Sequence, residues 1–236
     1  MPLRPPEKKT WPAAAPSHDE AQLLQEELAR SVLLTPLRSP PCHIAGADAA
    51  YSRDGSTVYG AAVVLDTVGW TLVDQAWAAG PVPYPYVPGL LAFREGPCLM
   101  EALGRLKASP DLVFFNGHGI LHPRGLGLAS HLGVLLQIPT IGCAQGPPVK
   151  GCAEGRNLPA ERGSYAFLPA QQGNRFLGAL LRTRRGRKPL FVSPGHLITL
   201  EQAFHWTLAA SVRYRMPEPL RQAHILANRI RRGSGS

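Results

Sequence analysis

Hydrophobic residues recur along the chain with two different periods, and each period predicts a different kind of element. Spacings of three and four residues, typical of helices with one buried face, recur in several segments. These are residues 18–32, 90–107, 128–136, 200–213 and 222–232. Short runs rich in apolar, β-branched and aromatic residues predict strands in between. These are residues 43–51, 57–65, 70–77, 112–115, 138–143, 164–168, 176–182 and 190–192.

The order of these elements predicts the fold class. Three antiparallel strands followed by helix, strand, helix and strand are the order of a ribonuclease-H-like sheet, and a further βββα region follows. We therefore expect one α/β domain over residues 17–232, with a mixed sheet flanked by helices. Residues 1–16, basic and rich in proline, are expected to be disordered, and residues 233–236 to be an added Gly-Ser tail. In such a sheet the first strand ends beside the fourth, which places Asp48 next to Asn116.

The chain concentrates polar groups and glycines directly after the buried run of residues 112–115. Asn116 begins a loop that carries several glycines together with His118, His122 and Arg124. Ligands of open α/β sheets bind where a central strand ends and a helix begins. The segment therefore predicts a binding site in which the histidines and Arg124 meet an anion or a base. The alternative is an ordinary strand–loop–helix connection, for which this loop is long and polar.

Asp48 is an unusual residue for the middle of a predicted strand. Its neighbours Ala47, Ala49 and Ala50 are small and apolar. A carboxylate in such surroundings is costly unless it is paired or holds a metal. We interpret Asp48 as functional, and the alternative is a side chain that points to solvent from an edge strand.

A loop rich in proline, residues 80–89, connects the third predicted strand to the next helix. Proline stiffens this loop, which presents Tyr84 and Tyr86. Rigid aromatic side chains on a basic protein can wedge into a base stack. The alternative is a stiff crossover between sheet and helix.

The charge balance and the cysteines limit the class of protein. There are 25 Lys and Arg residues against 16 Asp and Glu residues, which gives a net charge of +9. A basic surface favours a polyanionic partner such as nucleic acid, although a genome of high GC content also enriches Arg. The four cysteines form no CxxC pair, no apolar run approaches the roughly 18 residues of a membrane span, and the N-terminus lacks a signal-peptide core. We expect a cytoplasmic protein with reduced thiols, no membrane partner and a monomeric state.

Five motifs together resemble the endonuclease V family of deoxyinosine 3′-endonucleases. They are GADAAYS (46–52), PYVPGLLAFREGP (85–97), NGHGILHPRGLGLASHLG (116–133), SPGHLITLEQA (193–203) and YRMPEPLRQA (214–223). The resemblance covers nearly all of residues 18–230. It implies a ribonuclease-H-like nuclease that uses Mg²⁺ or Mn²⁺ and cuts the second phosphodiester 3′ to inosine in DNA or RNA.

The resemblance also implies roles for individual residues. Asp48 is expected to bind the metal, Glu95 to act as its acidic partner, and His196 to assist near the scissile phosphate. The strand-separating wedge is expected to consist of Pro85, Tyr86, Val87 and Pro88. The pocket for the flipped base is expected to consist of Gly89, Leu91, Gly117, His122 and Gly127. Flipping is cheaper for an inosine pair than for a normal pair, because the inosine pair is weaker.

This chain departs from the family pattern at two catalytic positions. Asn116 stands where the family has Asp, and Gln145 stands where it has Lys. Asn keeps a carbonyl oxygen but removes a negative charge, and Mg²⁺ is usually coordinated by only one or two carboxylates. Gln removes a cation near the phosphate, and loss of one such contact costs roughly 10²–10³ in rate. Lys150, in the loop after Gln145, is a candidate replacement cation.

These departures leave three hypotheses open. The first is an active metal-dependent endonuclease, slow or dependent on Mn²⁺. The second is an inactive relative that still binds nucleic acid containing inosine. The third is that Asn116 and Gln145 were introduced on purpose to trap a substrate.

Overall fold

The computed structural model describes residues 15–149, 151–152, 157–169 and 176–234. The first half of the fold contains α1 (His18–Ala29), β1 (His43–Tyr51), β2 (Thr57–Asp66), β3 (Leu72–Pro81), α2 (Leu91–Gly104), β4 (Leu112–Phe115) and α3 (Leu128–Leu136). The second half contains β5 (Thr140–Ala144), β6 (Tyr165–Pro169), β7 (Phe176–Leu181), β8 (Leu190–His196), α4 (Leu200–Ala210) and α5 (Glu218–Gly233). A capping box begins α1, because Ser17 and Glu20 exchange hydrogen bonds there.

The eight strands that the structure describes form one sheet in the order β3-β2-β1-β4-β5-β8-β7-β6. β4 pairs in parallel with both β1 and β5, and the other neighbours are antiparallel. This confirms the predicted ribonuclease-H-like mixed sheet flanked by helices. The carboxyl ends of β1, β4 and β5 therefore meet at one edge of the sheet, where the predicted site residues lie.

Helices cover both faces of the sheet, and alternating strand residues fill two cores. Phe115 packs on one face with Leu99 of α2 and Leu132 of α3. Phe114 points to the opposite face and packs with Ala203 of α4 and Leu220 of α5. β4 is thus buried on both sides, as its uninterrupted apolar sequence predicts. Among the described residues, none of the helices combines the length and the apolar character needed to span a bilayer.

The expected bounds of several elements were wrong. β8 extends through His196 rather than ending at residue 192, because antiparallel pairing with β5 continues to Thr140. α4 ends at Ala210, and α5 begins at Glu218, four residues before its expected start. α5 also continues through Gly233, the first residue of the expected tail. The expected disordered tail falls mainly on residues 1–14, which lie outside the described residues. The connection between the strands predicted at 164–168 and 176–182, expected to turn at residues 171–174, lies outside them as well.

Candidate functional site

A carboxylate pocket lies at the carboxyl ends of β1 and β4. Ala47 pairs with Phe115, so that Asp48 and Asn116 are neighbours one residue further along each strand. Asn116 donates a hydrogen bond from Nδ2 to Oδ1 of Asp48 over 3.0 Å. His224 of α5 donates from Nδ1 to the other carboxylate oxygen over 2.7 Å. Asp48 is only 4% exposed. Each of its two buried carboxylate oxygens therefore needs a hydrogen-bond donor, and the Asn116 and His224 N–H groups supply one each.

Close packing between β1 and α5 brings His224 to Asp48. Gly46 lies two residues before Asp48, on the same face of β1. A Cβ at Gly46 would lie 2.2 Å from the carbonyl carbon of Pro219 and 2.3 Å from the backbone nitrogen of Leu220. Only glycine lets the first turn of α5 approach the strand this closely. One turn after Leu220, the helix then places His224 over Asp48.

Glu95 is the second buried carboxyl group of this region. It lies in the second turn of α2, is 8% exposed, and accepts a hydrogen bond from the Tyr51 hydroxyl over 2.9 Å. Burial, opposed by the Tyr51 hydrogen bond and assisted by the Asp48 carboxylate, raises the pKa of Glu95 to about 7. At neutral pH this group is therefore poised between its acid and its base form. The Asp48 hydrogen bond, in contrast, raises the pKa of His224 and favours its cationic form.

The raised pKa of Glu95 predicts that metal-free protein loses stability as the pH rises. The unfolded chain releases the Glu95 proton above about pH 4.5, while the folded protein retains it up to about pH 7. This contribution to stability is therefore complete below the lower value and falls progressively, by up to roughly 3 kcal/mol in all, as the pH rises from the lower value through the upper one. Glu95→Gln is expected to remove this dependence, so that its advantage over the parent grows between pH 5 and pH 8.

Urea unfolding in EDTA at several pH values measures that advantage. Glu26→Gln on α1 is the matched control, because Glu26 is exposed and its substitution is expected to give no growing difference. A gap between Glu95→Gln and the parent that stays constant from pH 5 to pH 8 would contradict the assignment.

A cavity of about 180 Å³ lies on the other side of the strand end from the carboxylate pocket. The predicted base-pocket residues all line it: Gly89, Leu91, Gly117, His122 and Gly127. Tyr86, Val87 and Pro88 of the predicted wedge line it as well, together with His118 of the predicted binding loop and the unpredicted residue Gln25. Asn116 lines the carboxylate pocket and Gly117 lines the cavity, so two consecutive residues join the two sites.

A network of hydrogen bonds on the Gly89 carbonyl fixes the proline-rich loop to the cavity. Gln25 of α1 donates to this oxygen from Nε2 over 3.0 Å, His122 from Nε2 over 3.0 Å and Arg124 from Nη2 over 3.1 Å. Arg124 also donates from Nε to Oε1 of Gln25 over 2.7 Å. Burial and the Arg124 charge lower the pKa of His122 to about 4, so the ring is neutral and its Nε2–H donates.

Arg124, an expected phosphate ligand, already has other partners. Its guanidinium group donates to Gln25 and to the Gly89 carbonyl and so links α1 to the proline-rich loop, and its phosphate-binding role stays a prediction. Lys150, the other expected phosphate ligand, lies outside the described residues.

The proline-rich loop presents one tyrosine to solvent rather than two. Tyr86 is 73% exposed at the rim of the cavity. Tyr84 is only 5% exposed and packs its ring against Phe93, with 5.7 Å between the ring centroids. Arg94 donates to the Tyr84 carbonyl over 2.7 Å and thereby ties the loop to α2. The expectation that Tyr84 is presented was wrong, because its ring anchors the loop while Tyr86 remains free to contact a ligand.

His196 does not join the other predicted catalytic residues. Because β8 runs antiparallel to β5, His196 pairs with Thr140 at the start of β5, whereas the carboxylate pocket lies at the end of that strand. The side chain is fully buried, and its Nδ1 accepts a hydrogen bond from the backbone N–H of Leu33 over 3.2 Å. The expectation that His196 assists near the scissile phosphate is therefore corrected to a structural role.

Two residues of this region were missed by the sequence reasoning. His224 stands where a histidine borders the apolar stripe of an otherwise basic helix, which is a weak signal. Gln25 is 1% exposed although it lies among polar residues of an exposed helix, and no local pattern marks it as buried. Both residues act through partners more than 60 positions away in the sequence.

Comparison with known proteins decides the family. A family model for Endonuclease V matches residues 26–225. The chain belongs to the endonuclease V family. It is 43% identical to Endonuclease V from Geotalea uraniireducens over 221 residues, which cover 94% of this chain and 92% of that protein.

Solved structures of endonuclease V agree with this assignment. A crystal structure of Endonuclease V from Streptomyces avermitilis has a TM-score of 0.86 at 42% identity, and the match covers all of both chains. Ciona intestinalis Endonuclease V has been solved in complex with a 24mer DNA containing an inosine followed by a ribo-adenosine. It has a TM-score of 0.80 at 26% identity, with 90% of this chain and 96% of that chain covered.

Endonuclease V is a metal-dependent family, generally using Mg²⁺, but the side chains of this pocket do not fit such an ion as they stand. No group of three or more His, Cys, Asp or Glu residues able to hold a metal ion occurs in the described part of the chain. A cation at Asp48 must share the two carboxylate oxygens with the Asn116 and His224 hydrogen bonds and must also compete with a proton for Glu95. Asn116 turns an N–H donor, rather than a negative charge, toward the carboxylate that would hold the ion.

Proposed function

We propose that this protein recognises inosine in nucleic acid by taking the hypoxanthine base into the cavity lined by Gly89, Gly117 and Gly127. The observation that carries this proposal is the junction of the two sites at Asn116 and Gly117. A base held in the cavity leaves its sugar-phosphate backbone next to the carboxylate pocket. The Ciona relative in complex with DNA containing inosine supports the same choice of ligand.

The surroundings of the cavity suit base flipping. The cavity walls are mostly apolar and backbone, which suits stacking and hydrogen bonding to a flat base. Tyr86 stands exposed at the rim, on a loop that Gln25, His122 and Arg124 hold in place. We infer that residues 85–88 separate the strands when the base leaves the stack. The net charge of +9 favours association with DNA or RNA.

Cleavage is the second candidate function, at the second phosphodiester 3′ to the inosine. It is favoured by Asp48, Glu95 and His224, which remain together beside the base cavity. In that case Asp48, Glu95 and the amide oxygen of Asn116 would hold Mg²⁺ or Mn²⁺ weakly. The hydrogen bonds that already satisfy Asp48 favour binding with little or no cleavage. We further propose that the protein acts as a monomer in the cytoplasm, a reducing compartment in which its four cysteines remain as thiols.

Paired binding and cleavage measurements test this function. Labelled single- and double-stranded oligonucleotides carry either inosine or adenine at one position and are incubated with Mg²⁺ or with Mn²⁺. We expect at least tenfold tighter binding of the inosine strand, since the pocket discriminates one base from another, together with little or no cleavage.

The Asp48→Asn variant is the matched control for cleavage. A nick directly on the far side of the inosine's 3′ neighbour that disappears in Asp48→Asn would establish the nuclease instead. A nick that persists in the variant comes from a contaminant. Equal binding of the inosine and adenine strands would contradict base recognition.

A further inference from the structure

An arginine lies against Gln145 at the mouth of the carboxylate pocket. Gln145 directly follows β5 and lines this pocket together with Asp48 and Asn116. Arg215, in the connection between α4 and α5, donates a hydrogen bond from Nη2 to Oε1 of Gln145. The next residue, Met216, also lines the pocket. The permanent positive charge of Arg215 therefore lies beside the neutral side chain of Gln145.

The backbone of Arg215 is fixed by two hydroxyl groups that are themselves buried. Thr183 donates from Oγ1 to the Arg215 carbonyl over 2.6 Å, and Ser211 donates from Oγ to the same oxygen over 3.4 Å. Both hydroxyl-bearing residues have no exposed surface. The arginine therefore projects from an anchored loop, and little ordering is needed before it meets a ligand.

Arg221, the arginine that lines the carboxylate pocket, is already occupied by other contacts. Arg221 donates to Glu218 from Nε over 2.9 Å and from Nη2 over 2.5 Å, and its guanidinium lies 4.2 Å from the centroid of the Tyr214 ring. Arg215, in contrast, has a single side-chain hydrogen bond to the residues that the structure describes. Most of its five N–H donors are therefore available, in the planar arrangement that matches a phosphate.

We propose that Arg215 binds a backbone phosphate of the nucleic acid at the carboxylate pocket and that Gln145 positions its guanidinium for this contact. The inference rests on the proposed binding of nucleic acid. A half-buried guanidinium remains charged and is less screened than a cation on the open surface, so it attracts a phosphate more strongly. Position 145 thus contributes an acceptor that orients a cation instead of supplying the cation itself.

The test is a charge-relocation experiment on binding. Dissociation constants for an inosine-containing oligonucleotide are measured at several salt concentrations for the parent, for Arg215→Gln, and for Arg215→Gln combined with Gln145→Lys. Arg38→Gln is the matched control, because Arg38 is exposed and precedes β1, at the opposite end of that strand from Asp48. Thermal unfolding of each variant verifies that the comparison is between folded proteins.

We expect Arg215→Gln to weaken binding roughly tenfold and to lower the slope of log K against log salt by about one. Gln145→Lys in the same chain is expected to restore both the affinity and the slope, while Arg38→Gln changes neither.

Unchanged binding by Arg215→Gln would overturn the proposal. So would weakened binding with an unchanged salt slope and no restoration by Gln145→Lys, which is the behaviour of a purely structural arginine. Nonselective binding by the parent contradicts base recognition but leaves the Arg215 test valid, and no binding at all by the parent refutes both.

Discussion

Replacing Asn116 by Asp and Gln145 by Lys in one chain is expected to raise the rate of inosine-directed cleavage in Mg²⁺ by at least roughly 10²–10³. Asn116→Asp removes the N–H donor that satisfies Asp48 and adds a carboxylate beside it. Two adjacent carboxylates attract a divalent cation, which can stabilise the attacking and leaving oxygens of a phosphodiester. Gln145→Lys adds a cation beside the phosphate.

The single substitutions show which change matters. Asn116→Asp alone is expected to give most of the gain, because a cation at position 145 has little to act on until the metal is bound. The two effects are therefore expected to be non-additive. Rates of nick formation for all four proteins, mapped to the bond that is cut, measure this.

The stability of Asn116→Asp gives an independent readout of the same argument. Without metal, the Asp48–Asn116 hydrogen bond becomes a contact between two carboxyl groups, one of them only 4% exposed. We expect metal-free Asn116→Asp to be less stable by about 1–3 kcal/mol, and Mg²⁺ to raise its melting temperature more than that of the parent. A parent that already cleaves as fast as the double variant would refute the importance of Asn116. A double variant that gains Mg²⁺-dependent stability but no cleavage would separate metal binding from catalysis.

Much of the site follows from local sequence patterns. The positions of β1 and β4 could be predicted from short apolar runs, and the strand order of the fold then places Asp48 beside Asn116. The glycines of the cavity lie in loops that follow predicted strands, which is where sheets of this class bind ligands. These features depend on periodicity and chain order, both of which are visible in one sequence.

The misplaced histidine shows where such reasoning fails. His196 lies in a motif-rich segment, but the direction of β8 relative to β5 carries it to the far end of the sheet. Strand direction in the appended region is a tertiary property that periodicity does not encode. His224 reaches Asp48 only because Gly46 allows α5 to approach β1, and this contact joins residues 176 positions apart.

Arg124 illustrates a second limit. A basic residue in a glycine-rich loop has the local features of a phosphate ligand. Its actual partner, Gln25, is 99 residues away and is buried by the packing of α1. The same limit concealed Arg215, since the acceptor that orients it follows a strand 70 residues earlier. Side chains that could bind a ligand can be listed from the sequence, but whether the protein already uses them depends on long-range contacts.

Gly127→Ala is expected to abolish the preference for inosine over adenine and to destabilise the protein by about 1–3 kcal/mol. Gly127 caps α3, and a Cβ there would lie 2.4 Å from the His118 carbonyl oxygen and 2.8 Å from that of Gly119. Both neighbours belong to the backbone of the loop that follows β4. That loop cannot easily retreat, because Gly119 donates to Oγ of Ser193 over 2.8 Å and Ile120 to the Pro194 carbonyl over 2.9 Å.

The added methyl group must therefore displace the wall of the base cavity, which Gly117, His118 and Gly127 share. Dissociation constants for inosine and adenine strands, together with free energies of unfolding in urea, measure the two consequences. Gly104→Ala is the matched control, because Gly104 ends α2 and a Cβ there has no neighbour within 4 Å. The control is expected to keep the inosine preference and to be as stable as the parent or slightly more so, since Ala favours a helix. If Gly127→Ala kept the parent's inosine preference, the base would have to bind outside this cavity, and the carboxylate pocket would no longer be adjacent to it.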